Sequence, residues 1–524
     1  MAVLAYWPTF SNGFINWDDD RHVTRNNQIK SLDAQGLSRI FTGTVNKIYI
    51  PLTTLTFALE YHFFKFQPFY YHLNNLLLHL GVGVLVFYWG RSLGLSWAAG
   101  LIGMVIFLVH PIHVESVAWV SERKDVLYAF FYLAAVNLYL TRPILGIDRA
   151  KPALIPGIMK DKNYWGSLFL GLLAMLAKPM ALSLPLILVL CDWFKGRQDL
   201  RRILGEKIPY FFYIIPLAWL TLRLNGDSFK SGSSLGESVL IYLWSLSFPV
   251  IKFFSPWALN PVYQIPQPVA LTNPPYAIGL GLTLALLISL YIFRQQRWWV
   301  FAWAQYYFSI FFLLRFGQVA DRNPVADRFM YLPSVGLCLA LGYAAHKIWL
   351  KMHDKIILRR CVTVGFVFLM TFMVIKTNAQ CRIWNNSFLF WDHVIALDPK
   401  LSFAYYNRAN AYKAEREWSP ALRDYTEAIE LNPSYEAAIN SRGAMYHAMG
   451  LYDQALNDYN RVLQLNANKA STYNNRGNLY LMHRDFELAI QDFDRALALD
   501  PGLKEVNKNR ALAIKLKDLY NPRD

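Results

Sequence analysis

Residues 399–432 read PKLSFAYYNRANAYKAEREWSPALRDYTEAIELN, and residues 433–466 read PSYEAAINSRGAMYHAMGLYDQALNDYNRVLQLN. Laid over one another they keep register at a period of 34, and ANKASTYNNRGNLYLMHRDFELAIQDFDRALALD, 467–500, continues it. Arg408, Arg442, Arg476 and Arg510 coincide, as do Tyr412, Tyr446 and Tyr480, and Ala421, Ala455 and Ala489. Aromatic residues hold positions 384, 418, 452 and 486 in the same register. This period predicts one helical hairpin per unit. A lone hairpin cannot cover its own apolar face, so units stack into an α-solenoid with a concave groove. Residues 399–524 are therefore expected to form about three full repeats and a capping helix. The segment 383–398 matches only the second half of a unit, so 379–398 reads as a junction carrying half a repeat.

The 34-residue pattern is that of tetratricopeptide repeats. Upstream of it the composition changes. The 524-residue chain is 55% hydrophobic and 17% charged, whereas soluble domains carry about a quarter charged residues. Apolar runs approaching the roughly 20 residues of a spanning helix occupy 69–90, 97–112, 126–141, 164–177, 180–194, 208–222, 239–257, 276–293, 298–314, 330–349 and 361–378. Residues 1–378 thus read as a polytopic membrane domain, and the whole chain as all-α: a multi-pass transmembrane bundle followed by a repeat solenoid. The opening MAVLAYWPTF is apolar over about half a span, so the first helix reads as cut short at Met1 or as starting upstream of it.

The net charge of +16 does not point to nucleic acid, because Lys and Arg gather in short loops between apolar runs, as orientation signals do. The clusters are Arg142, Arg149, Lys151, Lys160 and Lys162; Lys195, Arg197, Arg201, Arg202 and Lys207; Arg294 and Arg297; and Lys347, Lys351, Lys355, Arg359 and Arg360. All four are expected on the cytoplasmic side, with loops 13–68, 113–125, 223–238 and 315–328 and the repeats on the other. Even parity between the second and third clusters requires one run not to cross. The run 239–257, with Pro249, Lys252 and Pro256, is read as interfacial or re-entrant. YIPLTTLTFALEYHFFKF, 49–66, is read as an amphipathic segment along the interface. Cysteines 191, 338, 361 and 381 show no paired spacing, which argues against a disulfide framework or a zinc site. No cleavable signal peptide is visible.

Ionisable groups beside lipid are functional candidates. GFINWDDDRHV, 13–23, places Asp18, Asp19 and Asp20 next to an apolar segment; the plain alternative is a solvated acidic loop. FLVHPIHVESVAWVSERKDVLY, 107–128, ends one run with His110, His113 and Glu115 and begins the next with Glu122, Arg123, Lys124 and Asp125. Two histidines and a glutamate suggest a divalent metal, but Pro111 between them spoils a regular helical face, and a structural network at helix ends is the simpler reading. Arg123 and Lys124 are a basic pair on the external face, suited to a lipid-linked phosphate. His72, Asn75 and His79 share one helix face, most simply as hydrogen-bonded groups inside the bundle. Arg322, Asp327 and Arg328 precede a span; Arg can grip phosphate oxygens with its fork, or simply pair with the aspartate.

GFINWDDDRHV, PFYYHLNNLLLH, FLVHPIHVESVAWVSERKDVLY and DRFMYLPSVG occur in this order ahead of the repeats. The ordered set resembles the transmembrane and tetratricopeptide-repeat-containing (TMTC) protein O-mannosyltransferases and their bacterial relatives over nearly the whole chain. The resemblance implies a glycosyltransferase fold of the C type. It implies a polyprenyl-phosphate mannose donor and transfer to Ser or Thr hydroxyls of external proteins. It implies Asp18 and Asp19 as the catalytic pair. Arg123, Lys124 and Arg328 would bind the donor phosphate, with His110, His113, Glu115 and Asp125 in support. The short repeat array favours a bacterial-type relative, in the plasma membrane with its repeats in the periplasm; a eukaryotic protein would sit in the endoplasmic reticulum. Two other functions compete: transfer to a lipid or cell-wall glycan, and a non-catalytic membrane-anchored scaffold recruiting partners through the repeats.

Overall fold

A computed structural model describes residues 1–142, 161–224, 233–314, 324–352 and 354–520. Arg149, Lys151, Lys160 and Arg322, and parts of the loops 223–238 and 315–328, lie outside the described residues. Helices make up the architecture, and the only β feature among the described residues is an isolated bridge between Val45 and Ile48. The chain divides into two compact units, Met1–Leu389 and Phe390–Asp524.

In the first unit, four helices among the described residues are long and apolar enough to cross a membrane: Pro68–Ser92, Leu235–Phe254, Pro274–Ile292 and Ile356–Arg382. A fifth crossing is made if the bent pair Trp97–Val109 and Pro111–Ala118 counts as one. The other apolar runs form shorter helices, from 11 residues in Leu184–Phe194 to 18 in Ser334–Lys351. Local chemistry sets many of these boundaries. Pro68 occupies the first turn of its helix, where a missing N–H costs nothing. The Ser96 hydroxyl accepts from Ala99 N at 3.2 Å and caps Trp97–Val109. Pro111 then stops that helix, and the path bends by 53°.

The run 239–257, read as interfacial or re-entrant, lies largely in a continuous 20-residue helix. Ser234 and Glu237 form a reciprocal capping box that starts it, and Pro249 is carried inside it. The segment 49–66, read as lying along the interface, forms the helix Pro51–Phe64, which buries Thr53, Thr54, Phe57, Ala58 and Glu60. Phe57 and Ala58 join Val23, Ile29, Ile40, Tyr71 and Val120 in one core, so the helix clamps the first loop onto the bundle while Leu59 and Phe63 stay exposed. Close packing elsewhere depends on glycine. A Cβ on Gly342 would lie 2.3 Å from the Ala99 carbonyl oxygen, so Ser334–Lys351 crosses Trp97–Val109 backbone to backbone.

The second unit pairs Ser402–Ala414 with Trp418–Leu431, Glu436–Ala448 with Tyr452–Leu465, and Ala470–Met482 with Phe486–Leu499, and Lys504–Tyr520 caps the array. Ala421, Ala455 and Ala489 are fully buried. The recurring arginines are interhelical clamps. Arg442 forks onto Asp458 at 2.9 and 2.7 Å, and Arg408–Asp424 and Arg476–Asp492 repeat the fork. Arg408 also reaches back to Asp392 at 2.7 Å, which ties the half repeat into the stack.

Candidate functional site

The acidic loop is held in place before its carboxylates are considered. Gly13 N donates to the Asn385 carbonyl at 2.8 Å, Asn16 N to Ser387 Oγ at 2.9 Å, and Asn12 Nδ2 to the Cys381 carbonyl at 3.0 Å. Trp17 stacks on Trp119 at 4.9 Å, and Trp119 on Trp384 at 5.5 Å. The three tryptophans join this loop, the 113–125 loop and the end of helix Ile356–Arg382.

Asp18 and Asp19 are sorted by this framework. Asp19 is 1% exposed. Its Oδ2 accepts from Ile15 N at 3.0 Å, and its Oδ1 accepts from both the N–H (2.9 Å) and the hydroxyl of Ser121. Burial outweighs these bonds and raises its pKa to about 6. Asp18 has no such anchoring. Its side chain keeps 22% of its surface, and its nearest cation, Arg21 Nη1, is 4.0 Å away. Burial raises its pKa as well, against the pull of Lys124. Asp20, whose side chain keeps 28% of its surface, lies 3.9 Å from Arg25. Of the adjacent pair, Asp18 is the partly exposed carboxylate and Asp19 the anchored one.

Behind Asp18 lies a cluster of buried charge. Glu122 is 3.0 Å from Lys124 Nζ, 3.4 Å from Arg328 Nε and 3.9 Å from Lys178 Nζ. Burial alone would raise its pKa, but Lys124, Arg328 and Lys178 hold it well below the usual carboxylate range. Arg328 also pairs with Glu115, which accepts from Arg328 N at 2.9 Å. Lys178 pairs with Asp125, whose other oxygen accepts from Ser116 Oγ at 3.1 Å. Lys124 and Arg328 lie 5.9 and 5.5 Å from the Trp119 ring centre. The neighbouring Asp327 accepts from Tyr263 OH at 2.9 Å, and burial raises its pKa far above the usual range.

Other expected site residues are engaged by partners within the fold. Arg123, expected on the donor phosphate, is 1% exposed and pairs with Glu60 at 2.8 Å. It also donates to Asn75 and to the Tyr71 carbonyl, so its guanidinium is spent inside the fold. His110 Nε2 pairs with the Phe253 carbonyl at 2.9 Å and its Nδ1 accepts from Ile112 N. His113 uses both nitrogens, on the Phe107 carbonyl at 2.8 Å and Ser334 Oγ at 2.9 Å. Neither ring nitrogen of either histidine is left to ligate, and the described residues contain no group of three or more His, Cys, Asp or Glu set to hold a metal. The stripe on Pro68–Ser92 anchors loops: His72 Nε2 lies 3.4 Å from the Gly13 carbonyl, Asn75 donates to Val117 and Trp119 carbonyls, and His79 pairs with Tyr331 OH at 2.8 Å. Sequence reasoning missed Lys178 and Ser121. A lone cation between two apolar runs was a usable sign for the first; nothing marked the second.

Comparison with known proteins agrees with both halves. Tetratricopeptide repeat models match residues 402–435 and 470–503, and a TPR repeat model matches 443–483. Human "Protein O-mannosyl-transferase TMTC4" is 30% identical over 207 residues, covering 35% of this chain and 27% of that protein. Mouse "Protein O-mannosyl-transferase TMTC3" is 23% identical over 472 residues, covering 81% of this chain and 49% of that protein. Among solved structures, the Arabidopsis OM64 TPR domain matches at 25% identity and a TM-score of 0.21, covering 22% of this chain and 94% of that one. The chain spans about half or less of the length of these curated relatives. The ordered strings, the repeat matches and relatives aligned over up to 81% of the chain support its membership of the transmembrane and tetratricopeptide-repeat-containing (TMTC) family.

Proposed function

We propose that this membrane protein transfers a sugar, mannose on the names of its relatives, from a polyprenyl-phosphate donor to Ser or Thr hydroxyls of proteins on the external side. The repeats bind the acceptor. The membrane is the plasma membrane of a bacterium, with the repeats in the periplasm, or the endoplasmic reticulum membrane of a eukaryote. One observation carries the reading: a partly exposed carboxylate, Asp18, beside the anchored Asp19 and within electrostatic reach of the cations Lys124 and Arg328.

A serine or threonine hydroxyl is a poor nucleophile and needs a base within hydrogen-bond reach. Asp18 takes its proton as the oxygen attacks the anomeric carbon. Asp19 keeps the loop at one height through Ile15 and Ser121. The bond from the anomeric carbon to the phosphate oxygen breaks, and the electron pair leaves on the phosphate. Lys124 and Arg328 stabilise that charge. In-line attack inverts the anomeric configuration. Binding energy from the repeat groove, away from the reacting centre, holds the acceptor in place.

The test is transfer from polyprenyl-phosphate mannose to a Ser/Thr peptide by the purified protein, with the anomer of the product determined. Wild type is expected to form an inverted O-linked product and Asp18→Asn almost none. Equal rates in the two would remove Asp18 as base. Product on lipid or glycan alone would replace the protein acceptor.

A further inference from the structure

The cation cluster contains its own counter-charges, and their arrangement bears on what the site releases. Lys124, Lys178 and Arg328 converge on one carboxylate, Glu122, at 3.0, 3.9 and 3.4 Å. Glu115 also pairs with Arg328 and Asp125 with Lys178. Three positive charges thus meet three carboxylates. Glu122 is the one all three cations share; it is 2% exposed, and its Oε2 is buried without a hydrogen-bond donor. The side chains of Lys124, Lys178 and Arg328 keep 8%, 13% and 17% of their surface. An anion therefore reaches the cations through the surface they keep, with Glu122 buried against them and Asp18 within their electrostatic reach.

We infer that Lys124, Lys178 and Arg328 form one phosphate subsite in which Glu122 favours a singly charged phosphodiester and expels a doubly charged phosphomonoester. This rests on the donor reading above. The donor is a phosphodiester with one negative charge. When the anomeric C–O bond breaks, the electron pair stays on the phosphate oxygen and the acceptor's proton goes to Asp18. The product is a monoester with a charge approaching two at neutral pH, since its second ionisation lies near pH 6. Coulomb energy scales with the product of charges. A cluster with uncompensated positive charge would bind the product more tightly than the donor and stall. Glu122 removes that surplus, so discrimination runs toward release. Lys178 belongs to this subsite and takes the place that Arg123, sealed with Glu60, does not fill.

The experiment measures binding of a short-chain polyprenyl monophosphate and of its methyl diester to the full chain in nanodiscs, by calorimetry. Glu122→Gln is expected to tighten the monoester about tenfold and the diester about threefold, since the energy of the second is half that of the first. A second measurement needs no variant. In wild type the affinity of monoester relative to diester should fall as pH rises from 5 to 8, Glu122 staying ionised throughout and the diester correcting for titration of Asp18, Asp19, Glu115, Asp125 and Asp327. Equal changes in both probes on Glu122→Gln, or a wild-type ratio that rises with pH, overturn the inference and leave the donor reading standing. Failure of wild type to bind either probe overturns both.

Discussion

Two adjacent aspartates have become chemically different residues. Asp18→Asn removes the base and should lower kcat by about 10²- to 10⁴-fold with the donor KM little changed, as steady-state transfer rates will show. Asp19 is a positioning residue, so its effect is read through pH. Its pKa stands at about 6 in the fold, against about 3.9 when unfolded. The native state therefore holds that proton more tightly. The stability this contributes is fully present below about pH 4 and is lost as pH rises through about 6. Melting temperatures between pH 4.5 and 7 should fall along that limb in wild type, and Asp19→Asn should flatten it. Transfer follows the opposite sign. The carboxylate of Asp18, itself raised by burial, is the active form, so kcat/KM should climb with pH along an acid limb above the ordinary aspartate range.

Helices and hairpins show where reading the chain succeeds. The repeat register was legible because Arg408, Arg442 and Arg476 each serve one local geometry, a fork onto an aspartate in the partner helix. Periodicity revealed those positions before their partners were known. Arg442→Ala leaves Asp458 unpaired and should destabilise the array by about 2–3 kcal/mol, seen as a lower unfolding midpoint of the full chain. The turn between helices also repeats in the left-handed region, at Arg416 (φ 63°), Gly450 (φ 76°) and Arg484 (φ 64°). Arg416→Gly should raise stability by about 0.5–1 kcal/mol in the same assay. Other features escaped such reading because they depend on distant partners. Arg123 and Lys124 are neighbours in sequence, yet Glu60 claims the first and Glu122 the second. His110 and His113 resemble ligands until Phe253 and Ser334 take up their nitrogens. At 239–257 the prolines suggested a break, whereas the Ser234 cap starts a continuous helix that carries Pro249 inside it.

At the scale of the molecule, the reading depends on sidedness. The acidic loop and the repeats must share a compartment, opposite the basic linkers. Single cysteines at the exposed positions Arg21, Ser471 and Arg201 test this in intact vesicles. An impermeant thiol reagent applied from the side that labels Arg21→Cys should label Ser471→Cys and leave Arg201→Cys unmodified until the membrane is opened. The strap of Gly13 and Asn16 onto Asn385 and Ser387 also bears on how the protein is made. The acidic loop leaves the ribosome well before its partner: Ser387 follows Asn16 by 371 positions. At about 5–20 residues per second, that is a wait of about 20 to 75 seconds. A nascent chain therefore carries an untied acidic loop until Asn385 and Ser387 are synthesised, and a chain interrupted before them lacks this strap.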